Sequence, residues 1–255
     1  MGAERLLTEQ QKEIAKLFSS LCIRHSPWQV WADFIEASAI SIQNVFGQIV
    51  PTKKGAEMER RYLEIQNCYV KQEREVFPRM FALTVDAIDA DPEQDFLGEM
   101  FMILELGSNW KGQFFTPYSI CRLMAETQAP NVKTVVDDRG WAGIYDPTCG
   151  AGALLIAARN VFSRNGIGSD RLLFAAQDVD RIAGLMCYVQ LSLLGCAGYV
   201  AIADTINNPI LGADSLFPIF TESHDVWFTP MWFSDVWSER RVWYAAGTQE
   251  GRRKK

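Results

Sequence analysis

The chain has 255 residues, 48% hydrophobic and 22% charged, with a formal net charge of −6 and a pI near 5.1. This is ordinary globular composition, enough for one large domain or two small ones. The acidic balance gives no overall attraction to a polyanion, so nucleic-acid binding would need a local basic face or a second subunit. Six cysteines occur without a C-x-x-C pair, and His25 and His224 are the only histidines, so no metal site is expected. No apolar segment follows a basic N-terminus, which points to reduced thiols and a cytoplasmic protein.

The first part of the chain reads as helices. Gln10 to Leu21 is periodic, and Ser26-Pro27-Trp28-Gln29 sets a cap, a proline and a glutamine where a helix begins. Val30, Trp31, Phe34, Ile35, Ile42 and Phe46 then follow the spacing of a buried face, with Gly47 and Pro51 as the stop. From Lys53 to Arg79 mixed charges surround a thin apolar stripe of Tyr62, Ile65, Tyr69 and Phe77, the pattern of a solvated helix. Asp91-Pro92-Glu93-Gln94 is read as the start of the next helix, with Phe96, Leu97, Met100, Phe101 and Leu104 facing inward. Lys111-Gly112-Gln113-Phe114-Phe115-Thr116-Pro117 comes next, with Thr116 as cap of a short helix from Tyr118 to Thr127. That helix start is ordinary, and its hydroxyl and free N–H groups can also hold a carboxylate.

After Asn131 short apolar strands alternate with helices, the pattern of an α/β sheet of parallel strands. Strands are predicted at Gly143 to Tyr145, Leu172 to Gln177, Tyr199 to Ala203 and Val226 to Phe228, with helices over Ala153 to Phe162 and Arg181 to Leu194. Ile182 to Ala203 runs 22 residues without a charge, and its glycines divide it into a buried helix, a turn and a buried strand rather than a membrane span. In a parallel sheet Asp146, Asp178, Asp204 and Thr229 would meet at the carboxyl edge, where such sheets bind ligands.

The organising stretch is Asp146-Pro147-Thr148-Cys149-Gly150-Ala151-Gly152-Ala153. An acid at a strand end and two glycines opening a helix suit either a nucleotide-like ligand or a tight strand-to-helix turn. Asp178 lies 26 residues beyond Gly152, after the next strand, where a carboxylate accepts ribose hydroxyls or caps a helix. Asp204 follows the third strand, where an adenine amine or a turn is its partner.

Taken in order, Gly112-Gln113-Phe114-Phe115-Thr116-Pro117, the glycine turn, Gln177-Asp178 and Asp204-Thr205 resemble the motifs of N6-adenine DNA methyltransferases. The likeness is to the modification subunit of type I restriction-modification systems and covers roughly Phe96 to Phe233. It implies an open Rossmann-like class I methyltransferase sheet after an N-terminal helical region, with S-adenosyl-L-methionine as cofactor. It also implies roles: Thr116 for the methionine carboxylate, Asp146 for the methionine amine, Gly150 and Gly152 for close backbone approach, Asp178 for the ribose, Asp204 for the adenine amine. Thr229-Pro230-Met231-Trp232 stands where the family has Asn or Asp, Pro, Pro and an aromatic residue. Thr229 and Pro230 would then supply acceptor oxygens and Trp232 would stack on a flipped base.

These readings divide the chain into helices over 1–110, a cofactor-binding domain over 111–245 with a last strand at Arg241 to Ala245, and a basic tail over 246–255. The 22 residues after Phe233 are too few for the later strands and recognition domain of the family. Two functions fit: methyl transfer to the N6 amine of adenine in DNA, or a catalytically silent cofactor-binding partner in a DNA-modification or anti-restriction system. DNA, a specificity subunit or a second copy are the expected partners, and no membrane is.

Overall fold

The computed structural model describes residues 7–45, 52–106, 115–212 and 214–253. Gly47, Pro51 and the Lys111 to Phe114 part of the first motif lie outside them, as do Lys254 and Lys255. Two compact units divide at Phe115 and Thr116.

The first unit is helical. It holds α1 (Glu9–Leu21), α2 (Pro27–Val45), α3 (Thr52–Asn67), α4 (Lys71–Arg74), α5 (Val76–Ala90) and α6 (Phe96–Ile103). Thr8 and Gln11 close a reciprocal capping box on α1, and Gln29 N–H donates to the Ser26 hydroxyl at 3.3 Å at the start of α2. Val30, Trp31, Phe34 and Ile35 are buried as their spacing requires. The same helix buries Asp33 and Glu36, which charge patterning did not reveal. Tyr69 donates to Asp33 at 2.8 Å and Arg61 holds Glu36 through two nitrogens at 3.0 and 2.8 Å. Buried carboxylates survive only when paired in this way. The Lys53 to Arg79 stretch is therefore not one solvated helix: it spans α3, α4 and the start of α5, with Ile65, Tyr69 and Phe77 buried. α6 starts at Phe96 rather than at Asp91, because Asp95 caps it by accepting from Gly98 N–H at 2.9 Å, while Asp91 closes a turn on Glu93 N–H.

The second unit is α/β. It runs α7 (Tyr118–Arg139), β1 (Ala142–Asp146), α8 (Ala153–Arg164), β2 (Leu172–Asp178), α9 (Arg181–Leu193), β3 (Ala197–Ile202), β4 (Asp225–Phe228), a 3-10 turn at Pro230–Phe233 and α10 (Asp235–Arg253). α7 passes through Pro130 to Arg139, well beyond the expected end at Thr127. Its capping position is Pro117, not Thr116, with no side-chain cap bond. Cys121, Ala125, Ala129 and Val136 recur at helical spacing on one buried face, and α7 packs that length against α8.

The sheet has the order β1-β2-β3-β4 and is mixed. β1, β2 and β3 are parallel, with Tyr145 opposite Ala175 and Ala175 opposite Tyr199. β4 is antiparallel to β3, Tyr199 facing Phe228 and Ile202 facing Asp225. This overturns the expectation of four parallel strands. A parallel return needs a crossover long enough to reverse the chain twice, usually a helix, and the described residues between Ile202 and Asp225 hold no helix.

α8 and α9 cover one face of the sheet. The other is closed by a cluster of Trp141, Leu173, Ala175, Tyr199, Trp232 and Trp237, among others. The expected strand at Arg241 to Ala245 is part of α10 instead. Trp237 and Tyr244, seven residues apart and so two turns, both pack edge-on against Trp141 at 5.7 and 6.0 Å. No helix among the described residues is long and apolar enough to cross a membrane.

Candidate functional site

The chain leaves β1 at Asp146, a residue 7% exposed whose Oδ1 accepts Thr148 N–H at 3.0 Å. Cys149 N–H then bonds the Gln177 carbonyl at 3.0 Å, fastening the turn to the end of β2. Gly152, at φ 99°, forms the N-cap of α8. A Cβ there would stand 2.9 Å from Cys187 Sγ and 3.4 Å from Cys187 Cα on α9, so close helix packing as well as the positive φ demands glycine.

Gly150 N–H donates to Asp178 Oδ2 at 2.8 Å, while Asp180 N–H donates to Asp178 Oδ1 at 2.8 Å. The glycine turn and the acid after β2 are thus one constellation. Val179 N–H also bonds this carboxylate, and with three backbone donors on its roughly four lone-pair sites it keeps acceptor capacity for a ligand hydroxyl. Burial raises the carboxyl pKa of both Asp146 and Asp178; for Asp178 the Asp180 and Gly150 N–H groups pull the other way. The Cys149 thiol is pushed up by its hydrogen bond to Cys187 and by burial.

Asp204 joins through the backbone. Ala203 N–H bonds the Asp178 carbonyl at 2.9 Å, and the Thr205 hydroxyl donates to the Pro147 carbonyl. The Asp204 carboxylate accepts Ile206 N–H at 2.8 Å, Asn207 N–H at 3.2 Å and the Asn207 side-chain amide at 2.7 Å. That side-chain bond and then the backbone ones hold its carboxyl below the usual range. Asp146, Gly150, Gly152, Asp178 and Asp204 therefore lie together at the carboxyl edge of β1 to β3.

Thr116 is exposed ahead of α7, whose Tyr118 hydroxyl accepts from Asn160 on α8 at 3.0 Å. Thr229, Pro230 and Trp232 are not at this edge. Because β4 runs antiparallel, its end reaches the start of β3, and the fully buried Thr229 hydroxyl donates to the Cys196 carbonyl at 2.7 Å and accepts Gly198 N–H at 2.9 Å. Trp232 packs at 5.4 Å against Tyr199 and at 5.2 Å against Phe228 inside the aromatic cluster. The placement of this trio beside the acids is thus corrected.

One organiser went unread in the sequence. Gln177, fully buried, donates to the Ala203 and Asn208 carbonyls at 3.2 and 2.8 Å and accepts from the Tyr145 hydroxyl at 3.2 Å and Ile210 N–H at 3.1 Å. A glutamine directly after the apolar run Leu172 to Ala176, on the same strand, is the available signal.

The sequence model of one family, described as N-6 DNA Methylase, matches residues 94–246, more than half of the chain. A relative, the type I restriction enzyme MjaIX methylase subunit of Methanocaldococcus jannaschii, is 29% identical over 113 residues. That alignment covers 44% of this chain and 18% of the relative, so the chain spans only a part of that protein's length.

Proposed function

The chain belongs to the N-6 DNA methylase family, and from that premise we propose that the carboxyl-edge constellation binds S-adenosyl-L-methionine for methylation of the N6 amine of adenine in DNA. The observation that carries the reading is the 2.8 Å bond from Gly150 N–H to Asp178, which ties a glycine turn to a partly buried carboxylate. The residues fit the group: Gly152 leaves no side chain at the mouth of α8, and Asp178 retains acceptor capacity for ribose hydroxyls. Asp146 faces the methionine amine, Asp204 the adenine amine, and Thr116 the methionine carboxylate. When bound, the cofactor supplies an electrophilic methyl group on a sulfonium. The residues of this chain orient it and exclude water.

Methyl transfer also needs acceptor groups on the target amine, and buried Thr229 does not provide them. That observation favours a second reading, in which the chain is a cofactor-binding partner whose acceptor-side groups come from a specificity-type subunit or a second copy. In either reading it works on DNA and resides in the cytoplasm. Incubation with labelled cofactor and mixed-sequence DNA, followed by mass spectrometry for N6-methyladenine, separates them. Label from the isolated chain supports the enzyme. Label only after a co-purifying subunit is added supports the partner, and cofactor binding with no label under either condition contradicts both routes to methylation.

A further inference from the structure

His224 stands just before β4 and is only 8% exposed. Both of its ring nitrogens are committed. Nδ1 lies 2.9 Å from the Thr221 main-chain nitrogen and 2.8 Å from the Thr221 hydroxyl, and Nε2 lies 3.1 Å from the Asn208 carbonyl oxygen. A main-chain N–H can only donate and a carbonyl can only accept, so Nδ1 is bare and Nε2 carries the proton. The fold thus selects one state of the ring, the neutral Nε2–H tautomer. A second proton, on Nδ1, would point at the Thr221 N–H.

What the ring holds is the turn after β3. The Asn208 carbonyl is gripped from two sides, by His224 and, at 2.8 Å, by the side-chain amide of buried Gln177. Asn208 N–H in turn donates to the Asp204 carbonyl at 2.7 Å, closing the same turn whose Ile206 and Asn207 N–H groups cap the Asp204 carboxylate. Asn208 Nδ2 donates to Ser223 Oγ at 2.9 Å, and the Thr221 hydroxyl also reaches Asn208 Oδ1 at 3.1 Å. Phe220 packs edge-on against the imidazole at 5.8 Å. The charged groups on the surrounding elements are engaged elsewhere: Asp225 on β4 with Arg181 of α9 and the Trp227 indole, Asp178 with backbone N–H groups, and Asp204 with Ile206 and Asn207, while Glu222 is exposed. Among the described residues no carboxylate bonds the imidazole, so none compensates a positive charge there.

We propose that His224 is a positioning residue for the carboxyl-edge constellation: as a neutral imidazole it clasps the Asp204 turn, and a second proton on the ring releases that turn and weakens the cofactor. The proposal rests on the cofactor reading for what is weakened, and on the hydrogen bonds alone for the clasp. Protonation turns Nδ1 from an acceptor into a donor, so the Thr221 N–H loses its partner and the ring has to move, taking the Nε2 bond to Asn208 with it. The clasp is therefore present while the ring is neutral and is lost as pH falls through the range in which histidine gains its proton.

The test is calorimetry of the full chain with S-adenosylhomocysteine at about pH 7.5 and about pH 5.5, which bracket the ordinary histidine range. Wild-type affinity is expected to fall about ten-fold on acidification, the size of one lost hydrogen bond. His224→Gln sets an amide donor that does not titrate where Nε2 stood, so its affinity should change little between the two pH values. The Asp146 and Asp178 carboxyls, raised by burial, are present in both chains and drop out of the comparison. Equal pH dependence in the two chains, or none in wild type, overturns the proposal. Nitrogen NMR of the imidazoles tests the clasp without cofactor and without altering His224, His25→Gln serving to single out its signal, since these are the only two histidines. The Nε2–H tautomer is expected at about pH 7.5; the Nδ1–H tautomer, or a mixture of the two, overturns the clasp even where His224→Gln fails to fold. S-adenosylhomocysteine that binds neither chain at either pH overturns the cofactor reading instead, and the tautomer still decides the clasp.

Discussion

The two edges of the sheet use their polar groups in opposite ways. At the carboxyl edge Asp178 accepts from the Gly150, Asp180 and Val179 N–H groups and still has acceptor capacity to spare, and burial holds its carboxyl above the usual range. At the other edge the Thr229 hydroxyl is fully buried and engaged on both sides, between the Cys196 carbonyl and Gly198 N–H. A polar residue at a strand end is thus no site by itself. What matters is whether its hydrogen-bonding capacity exceeds what the fold consumes.

The sharpest way to break this contrast is Thr229→Val. It leaves a buried carbonyl and N–H without their hydroxyl partner, for a loss of about 2–4 kcal/mol, read as a lower urea midpoint with cofactor affinity of the folded fraction unchanged. A neutral effect on stability would mean that the latch is dispensable. Next is Gly152→Ala, which forces a Cβ into positive φ and against Cys187. A destabilisation of about 1–3 kcal/mol together with weakened cofactor binding is expected in thermal melts and calorimetry, and unchanged behaviour in both would remove the cradle from the account.

A subtler contrast is in pH. Since burial raises the Asp146 and Asp178 carboxyl pKa values, the folded chain holds protons there that the unfolded chain has released. Their contribution to stability is therefore present near the ordinary aspartate range and is lost as pH rises through the raised values. Asp178→Asn removes one such group, so the stability of the variant relative to wild type should climb across that acidic window. Urea midpoints measured at several pH values check it, and a flat difference would contradict the raised pKa. The smallest effect is expected for Asp204→Ala, which removes a turn cap held by exposed bonds. Cofactor affinity should fall by only a few-fold, and a loss as large as that from removing Asp178 would make Asp204 a principal contact.

How legible this was depended on how local the causes were. The glycine turn, the acids after β2 and β3 and the Ser26 cap are written in adjacent residues, and the backbone follows them. The direction of β4 was not, because Val226, Trp227 and Phe228 read as a strand either way. Only the preceding stretch, with Pro209, Gly212 and Pro218 and no helical period, carried the clue that the chain turns back without a crossover. Thr229 inherited that error. α10 is illegible for a similar reason: its Trp237 and Tyr244 pack on Trp141, a partner remote in sequence. Asp33 and Glu36 likewise look like surface charge until Tyr69 and Arg61 are brought to them.

The most direct measurement is a calorimetric titration of S-adenosylmethionine into wild type, Asp178→Ala and Thr229→Val, each shown to be folded by circular dichroism. The account predicts binding to wild type, an affinity about ten- to a hundred-fold lower for Asp178→Ala, the range of a hydrogen bond to a charged group, and wild-type affinity for Thr229→Val. Equal binding by Asp178→Ala and wild type, or a loss confined to Thr229→Val, would place the cofactor at the wrong edge of the sheet and contradict it.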